Sequence, residues 1–216
     1  MVENEDLNLS TQYLNAMREG SGRKADKVVQ SALDQTITAN DIYLDIFQKT
    51  AYEIGRLWQV NEFSVAQEHL ATAIIERQMG DLHPHFKPLR NRAKRLVIGS
   101  VEKEFHRVGV RMVADFFEQD GWEVYYLGAA VPTQTFISIA KDFNADLIGV
   151  SAQMVYHLPS VVEFVKEADR QGLGGIPIMA GGYPFVQNPS LYKQLGVHFS
   201  GGDAREAVNI TNSLIN

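Results

Sequence analysis

The first 85 residues carry apolar side chains at helical spacing. From about Leu7 to about His85, apolar positions recur three or four residues apart in four successive segments. Short polar or glycine-containing stretches separate these segments, and no alternating run of β-branched residues interrupts them. This half of the chain is therefore predicted to form a small antiparallel four-helix bundle with short turns.

The pattern changes at about Lys94, where short apolar runs begin to alternate with amphipathic segments. The apolar runs lie at 96–99, 123–127, 147–150, 176–180 and 197–199. Helical periodicity covers most of the sequence between and after them, at about 107–120, 134–143, 160–170 and 203–214. Continuous apolar strands that alternate with helices indicate a parallel sheet covered on both faces. The sequence therefore predicts a doubly wound, five-stranded domain that binds ligands beyond the carboxyl ends of its strands.

These two halves predict two domains and a linker, in the fold class α plus α/β. We place a helical cap bundle at residues 1–88, a linker at 89–95 and a Rossmann-like domain at 96–216. Around the linker, five of nine successive positions are basic, namely Lys87, Arg90, Arg92, Lys94 and Arg95. Such a run favours a solvated hinge, and contact with an acidic partner is the alternative.

Composition and charge exclude several classes of protein. The 216 residues have a formal net charge of −6, which argues against a broad surface for nucleic acid. The absence of cysteine excludes disulfides, thiolate zinc sites and thiol nucleophiles. The acidic N-terminus has no apolar signal core, and no apolar run is long enough to span a bilayer. We therefore expect a cytoplasmic protein that binds neither membranes nor, by itself, nucleic acid.

Three short motifs follow predicted strands, and the numbers of residues between them are informative. The first is an acid-x-His-x-x-Gly motif at 104–109, just beyond the first strand. Ser151 follows after forty-one intervening residues, and Gly181–Gly182 follow the segment 151–153 after another twenty-seven. The pattern resembles the signature of cobalamin-binding domains, which is Asp-x-His-x-x-Gly, then Ser-x-Leu, then Gly-Gly. The resemblance implies the flavodoxin-like cobalamin-binding fold, with a corrinoid at these strand ends.

The same resemblance implies a role for each landmark. His106 would be the lower axial ligand of cobalt, since a neutral imidazole is a good axial ligand. Glu104 would accept a hydrogen bond from its other ring nitrogen, which fixes the ring and raises its basicity. Gly109 would let the loop and the following helix approach the corrin ring closely. Ser151 would hydrogen-bond the displaced base of the cofactor, and Gly181–Gly182 would leave room for its nucleotide tail.

The helical half carries a second motif, in which Trp58 is followed after nine residues by Glu68 and His69. This motif resembles the helical cap of the cobalamin-dependent light-sensing repressors of carotenoid genes. The resemblance implies that Trp58 and Val65 pack on an adenosyl group above cobalt, and that Glu68 and His69 hydrogen-bond that group. The structural alternative is a core position for Trp58 and a solvent-facing position for Glu68 and His69.

The chain departs from both resemblances at several positions. Glu104 stands where the family has Asp, and Gln153 stands where it has Leu. Gln59 follows Trp58 where the light-sensing relatives have a histidine that binds cobalt after illumination. His157 receives no functional role, because it is predicted only to begin a helix. The upper ligand after illumination is left open between water and one of three histidines, His69, His83 and His85.

The cap motif favours a regulatory photosensor rather than an enzyme. Adenosylcobalamin would be its cofactor, with methylcobalamin and hydroxocobalamin as alternatives, and loss of the upper ligand in light would shift the cap. Because the sequence begins almost directly with the bundle, we expect it to lack the DNA-binding domain of those repressors. The signal would therefore pass to a protein partner, a transcription regulator or a signalling subunit, and homo-oligomer formation is left open.

A corrinoid methyl carrier of a methyltransferase system is the alternative function. Such a carrier shuttles a methyl group between two methyltransferases, and its protein supplies orientation and axial tuning. We place it second because Trp58 with Glu68 and His69 fits a bulky nucleoside better than a methyl group. Simple cobalamin storage or delivery is a third interpretation, and a complete mutase is disfavoured because the chain has no substrate barrel.

Overall fold

The computed structural model describes residues 8–215. The chain divides into two compact units, of which one ends at Phe86 and the other begins at Lys87. Residues 1–7, which include the acidic start of the sequence and Leu7, where the helical pattern begins, lie outside the described range. Among residues 8–215, no helix combines the length and the apolar character that crossing a bilayer requires.

The first unit is helical, as the periodicity predicts. Its helices are α1 (Leu9–Arg18), α2 (Gly22–Asp34), α3 (Ala39–Asp41), α4 (Lys49–Gln59) and α5 (Val65–Leu82). A π-helical segment, Ile42–Gln48, joins α3 to α4 without a break. Residues 8–82 therefore form four continuous helical segments. Polar side chains cap their starts, and Ser64 and Gln67 form a reciprocal capping box at α5.

Aromatic rings and two tyrosine hydroxyls hold the core of this unit together. Phe47 lies 5.2 Å from Tyr13 and 5.7 Å from Tyr43, measured between ring centroids. The hydroxyl of Tyr43 donates to the carbonyl oxygen of Met79 at 3.0 Å, and the hydroxyl of Tyr13 donates to Oε1 of buried Gln78. Burial raises the pKa of Tyr13 far above its usual range, so the hydroxyl keeps the proton that it donates.

The second unit is a parallel five-stranded sheet covered by helices. Its strands are β1 (Arg95–Ser100), β2 (Glu123–Tyr126), β3 (Leu147–Ser151), β4 (Ile178–Gly181) and β5 (Phe199–Ser200). Its helices are α6 (Val108–Gln119), α7 (Thr133–Asp142), α8 (Leu158–Ala168), α9 (Tyr183–Gln187), α10 (Leu191–Gln194) and α11 (Ala204–Leu214). The strand order is β2-β1-β3-β4-β5, and every pairing is parallel.

This order confirms the predicted fold class. It is the flavodoxin-like order, in which the direction of winding reverses between β1 and β3. Ligands of such sheets bind beyond the carboxyl ends of the strands at this switch point. The inner strands β1, β3 and β4 are mostly buried apolar runs, because helices cover both faces of a doubly wound sheet, whereas the edge strand β2 is largely exposed. The structure differs from the sequence pattern at β5, which is shorter, and at α9 and α10, which the pattern does not show.

The basic segment 87–95 is largely exposed, as the charge pattern favours, but two of its arginines are held by specific contacts. Arg90 and Arg92 both form ion pairs with Asp120, whose side chain is almost fully buried. Backbone hydrogen bonds from Leu89 and Arg92 tie the same segment to the turn that follows α6. A Cβ atom at Gly121, which has φ +91°, would collide with the carbonyl group of Arg90. The segment is therefore fastened to the second unit by contacts that require a glycine in that turn.

The Tyr13 hydroxyl offers a direct test of the helical core. We expect Tyr13→Phe to lower the free energy of unfolding by about 1–2 kcal/mol, because the buried carbonyl oxygen of Gln78 loses its donor. Urea denaturation followed by circular dichroism measures the change. Tyr125→Phe removes the hydroxyl of a half-exposed ring and should change stability by less than about 0.5 kcal/mol. Equal effects of the two substitutions would show that the buried hydrogen bond contributes nothing measurable.

Candidate cobalamin-binding site

The loop after β1 is fixed at both ends by hydrogen bonds. The hydroxyl of buried Ser100 donates to the carbonyl oxygen of His106 at 2.8 Å. The backbone N–H of Val101 donates to the carbonyl oxygen of Ser151 at 3.0 Å, which joins this loop to the end of β3. Lys103 has φ +68° and forms the corner of the turn from Val101 to Glu104. The loop therefore holds His106 in one place at the switch point.

Glu104 is fully buried and receives five hydrogen bonds. Its Oε1 accepts from the backbone N–H of His106 at 2.9 Å and from Nδ1 of the same residue at 2.6 Å. Its Oε2 accepts from the backbone N–H groups of Gln153 and Met154, at 2.8 and 3.3 Å. The fifth donor is Nδ1 of His157, which lies 2.7 Å from Oε2. One carboxylate thus links the loop after β1 to the loop after β3.

These donors keep the carboxylate ionised. Burial alone would raise the pKa of Glu104, but hydrogen bonds from the side chain and backbone of His106 and from the side chain of His157 outweigh burial. The resulting pKa is about 2, so both imidazoles donate to the carboxylate through Nδ1. In a neutral ring this leaves Nε2 as the nitrogen with a lone pair for a metal. The His106 side chain is 53% exposed, which suits a ligand of a bound cofactor.

The arrangement matches the chemistry expected for a lower cobalt ligand. A metal-bound imidazole is oriented and made more basic when its second nitrogen donates to a carboxylate. Glu104 reaches His106 although its side chain is one methylene longer than that of the Asp usual in the family. Gly109, the second residue of α6, has room for a Cβ atom that no described atom would contact. The residues present at this site therefore fit a corrinoid, and the individual assignments stay predictions.

Gly181 and Gly182 lie in different environments. Apart from Gly181 itself and its two chain neighbours, no atom of residues 8–215 lies within 4 Å of the position that a Cβ atom of Gly181 would take. A Cβ atom at Gly182, which has φ +117°, would instead overlap the carbonyl group of Ala152. Ser151 pairs with Gly181 in the sheet, so the open position lies beside the end of β3. The predicted space for a nucleotide tail therefore concerns Gly181, whereas Gly182 is required by the backbone of the chain itself.

Large apolar side chains surround this strand edge. Phe105, Val155 and Tyr156 are each more than two-thirds exposed. Phe105 directly precedes His106, and Tyr156 directly precedes His157. Exposed apolar groups of this size, next to a polar cluster, are typical of a ligand-binding surface.

In the helical unit, the cap motif lies at the turn between α4 and α5. Trp58 and Val65 are about half exposed, so Trp58 is not the core residue of the structural alternative. Nδ1 of His69 lies 2.6 Å from Oε2 of Glu68, and Thr72 donates to Oε1 of Glu68 at 2.9 Å. The contacts predicted between these residues and an upper cobalt ligand remain predictions.

Sequence reasoning missed two residues of this site. His157 was expected only to begin a helix, and it does precede α8, but its ring also binds Glu104. Ser100 received no role, although its hydroxyl holds the backbone of His106. The available signal was position, because both residues lie at or just beyond the ends of the two strands that flank the switch point.

Both units match family models of cobalamin binding. A model described as B12 binding domain matches residues 94–209, and a second model with the same description matches residues 9–82. Dimethylamine corrinoid protein 2 of Methanosarcina acetivorans is 30% identical over 173 residues, which cover 77% of this chain and 74% of that protein. Dimethylamine corrinoid protein 3 of Methanosarcina mazei is 36% identical over 124 residues, which cover 56% of this chain and 71% of that protein. Two further dimethylamine corrinoid proteins are covered over only 56% of their length.

Solved structures show the same fold. The monomethylamine corrinoid protein of Methanosarcina barkeri superposes with a TM-score of 0.86 at 17% identity, over 96% of this chain and 98% of that chain. A cobalamin-binding protein from Desulfitobacterium hafniense superposes with a TM-score of 0.55 at 23% identity, over 97% of this chain and all of that chain. At these identities the likeness concerns the fold alone.

The photosensor interpretation is wrong. The relatives are corrinoid proteins named for methylamines, and the similar structures include the corrinoid protein above and a methanol:cobalamin methyltransferase complex from Methanosarcina barkeri. The expectations of light sensing and of a transcription regulator as partner lose their support with it. The resemblance to cobalamin-binding domains is confirmed, whereas the cap motif does not indicate a light-sensing function.

Substitution of the two adjacent glycines should have different effects, one on stability and the other on cobalamin binding. Gly182→Ala should destabilise the second unit by about 2 kcal/mol or more, because φ +117° and the Ala152 carbonyl group both oppose a Cβ atom. Gly181→Ala should leave the free energy of unfolding nearly unchanged and weaken cobalamin binding instead. Urea denaturation of the cobalamin-free protein and equilibrium dialysis with hydroxocobalamin measure the two effects. Unfolding caused by Gly181→Ala would contradict the assignment of open space at that position.

The buried carboxylate predicts a loss of stability in acid. The pKa of Glu104 is about 2 in the folded protein against an ordinary 4.5, so its contribution is complete above pH 4.5 and is lost as the pH falls toward 2. This contribution is about 3 kcal/mol if the whole difference is realised. The pH dependence of urea unfolding of the cobalamin-free protein should be flatter in Glu104→Gln. Glu163→Gln, which changes an exposed glutamate of α8, is the matched control and should keep the steep dependence.

The sequence motif, the geometry of the strand ends and the family models all indicate the same cofactor. A family model covers more than half of the chain, and a second one covers most of the helical unit. The structure adds a histidine held by a buried carboxylate and an open position at the carboxyl ends of β3 and β4. Cobalamin is the cofactor of this protein, and the chain belongs to the B12-binding domain family.

Proposed function

We propose that the protein is the corrinoid component of a methyltransferase system and carries a methyl group between two methyltransferases. The observation that carries this proposal is the similarity to a dimethylamine corrinoid protein over 173 residues, which extends across 77% of the chain. When bound, the corrinoid would supply the cobalt that accepts and releases the methyl group. The protein itself would be a carrier on which partner enzymes act.

The chain's own residues would hold the cofactor from below. His106 would offer Nε2 to cobalt, while its Nδ1 proton stays on the ionised carboxylate of Glu104. An imidazole held in this way keeps one orientation and one tautomer, and it is a stronger electron donor than a solvated imidazole. The hydrogen bond from Ser100 to the carbonyl oxygen of His106 fixes the backbone under the ring. These contacts would keep the imidazole of His106 in one position while a corrinoid is bound.

The rest of the strand edge would hold the body of the cofactor. Phe105, Val155 and Tyr156 offer exposed apolar surface of the kind that a large ring covers. The open position at Gly181 offers space for the nucleotide tail, and the hydroxyl of Ser151 lies on the neighbouring strand. Gln153 accepts a hydrogen bond from the backbone N–H of Tyr183 at 3.2 Å, so the substitution of Leu by Gln joins the loops after β3 and β4.

The partners in this proposal are methyltransferases, and the methyl donor is a small methylated amine. The names of the similar proteins support the choice of donor, since they refer to dimethylamine and trimethylamine. A carrier of this kind presents its cofactor to one enzyme that loads the methyl group and to another that removes it. The form of cobalamin in the working protein would then be one that exchanges methyl groups, instead of adenosylcobalamin.

Methyl transfer to the reconstituted protein tests the proposal. We expect a purified dimethylamine methyltransferase to transfer radiolabelled methyl groups from dimethylamine to the cobalamin-loaded protein under reducing, anaerobic conditions. The label should approach one methyl group per bound cobalamin and should be absent from protein without cobalamin. Monomethylamine, trimethylamine and methanol, each with its own methyltransferase, define the donor class. Failure of all four donors with a protein that retains its cobalamin would overturn the carrier function.

Replacement of the proposed ligand gives a second readout. His106→Ala should weaken hydroxocobalamin binding by about 10-fold or more and change the absorption spectrum of the bound cofactor. His85→Ala, which removes an exposed histidine of the helical unit, is the matched control and should leave affinity and spectrum unchanged. An unchanged spectrum in His106→Ala would remove that residue from the assigned role.

A further inference from the structure

Gln153 lies among the residues of the second unit that are predicted to hold the nucleotide tail of the cofactor. We propose that Gln153 is a specificity-determining residue for the lower base of that tail. Its amide favours a base with hydrogen-bond acceptors, such as a purine, where a leucine would favour dimethylbenzimidazole, the base of cobalamin. The inference rests on the corrinoid site of the proposed function and extends it to the class of corrinoid that the site accepts. The observation that carries it is the 3.2 Å hydrogen bond from the backbone N–H of Tyr183 to Oε1 of Gln153.

The backbone of Gln153 is fixed beside the glycine pair. Its N–H donates to Oε2 of Glu104 at 2.8 Å, and a Cβ atom at Gly182 would come within 3.2 Å of the same nitrogen. One residue earlier, the N–H of Ala152 donates to the carbonyl oxygen of Gly181 at 3.0 Å. Main-chain contacts therefore determine where position 153 lies, whichever side chain it carries.

The side chain of Gln153 lies on the same side of this extended segment as that of Ser151. Side chains alternate along an extended chain, and burial follows the alternation, since Ala152 is fully buried whereas Ser151 and Gln153 are both half-buried. Ser151 is the residue predicted to hydrogen-bond the displaced base, and the open position of Gly181 lies on the neighbouring strand. A base that reached Ser151 would therefore come next to the side chain two positions farther along.

The hydrogen bond from Tyr183 determines which end of the amide is left for a ligand. A backbone N–H can only donate, so the oxygen of the Gln153 amide faces it. The NH2 group, which has two N–H donors, is then the part of the amide that a bound base can meet. A leucine at this position would present methyl groups, which neither donate nor accept.

The two kinds of lower base differ in what they offer to such a donor. The benzo ring of dimethylbenzimidazole carries two methyl groups, whereas the corresponding ring of a purine contains nitrogen atoms that accept hydrogen bonds. An N–H group that loses water against methyl groups and finds no acceptor weakens binding, so a site that contains it discriminates against the apolar ligand. The amide of Gln153 therefore favours the purine, and a leucine at the same position favours the methylated ring.

The binding of two corrinoids that differ only in the lower base tests this role. Equilibrium dialysis compares hydroxocobalamin with its counterpart that carries adenine as the lower base. We expect Gln153→Leu to shift the ratio of the two dissociation constants about 10-fold in favour of hydroxocobalamin. Gln194→Leu, which changes an exposed glutamine of α10, is the matched control and should keep the wild-type ratio.

The ratio separates recognition of the base from structural damage. Loss of the hydrogen bond from Tyr183 would disturb the two loops and weaken both corrinoids by the same factor, which leaves the ratio unchanged. An unchanged ratio in Gln153→Leu would therefore overturn the role, whether or not the two affinities fall together. Should Gln153→Leu not fold, Gln153→Met lacks the amide but keeps an unbranched side chain of similar length, and the same criterion applies to it.

The outcomes also separate this inference from the function on which it rests. Cobinamide, a corrinoid without a nucleotide tail, provides the reference. If the wild type binds cobinamide as tightly as the two tail-bearing corrinoids, the predicted tail site fails and the inference fails with it. If the wild type prefers the tail-bearing corrinoids and Gln153→Leu keeps their ratio, only the role of Gln153 fails. The carrier function is decided separately, by methyl transfer to the cobalamin-loaded protein.

Discussion

The site depends on one buried carboxylate that two loops share. Glu104 takes up five hydrogen bonds from the loops after β1 and β3, the two strands that flank the switch point of the sheet. A charged group without partners would be costly inside a protein, but donors on both oxygens make this charge a fixed part of the structure. The position of His106 is therefore set before any cofactor arrives, and a preorganised ligand does not have to be ordered upon binding.

Most of the fold follows from local periodicity. The helices of the first unit and the alternating elements of the second repeat their apolar residues with periods that a sequence shows directly. The basic segment could not be understood in this way, because Arg90 and Arg92 look like solvated charges until Asp120, some thirty residues away, is placed beside them. The short helices α9 and α10 were missed, and β5 was predicted too long, because these elements contain too few residues to display a period.

Site residues that share one sequence motif could be predicted from their spacing, whereas residues that meet only in the folded chain could not. Glu104 and His106 belong to one motif, whereas the link to His157 exists only after two crossovers bring the ends of β1 and β3 together. In the helical unit, by contrast, a sequence motif was over-interpreted. Trp58, Glu68 and His69 gave a specific motif, but the side chains of a half-exposed turn do not by themselves identify a ligand or a function. The sensor function that this motif suggested is contradicted by the corrinoid relatives.

The two neighbouring glycines after β4 bear on how members of this family can diverge. A side chain at Gly182 would overlap the backbone of the loop after β3, whether or not a cofactor is bound. The position of a side chain at Gly181 is open. A related protein that no longer binds the cofactor could therefore carry a side chain at position 181 but would still need glycine at position 182. If Gly181 makes room for a nucleotide tail as predicted, its survival is the sign of a retained cofactor, and loss of Gly182 would indicate a rebuilt backbone.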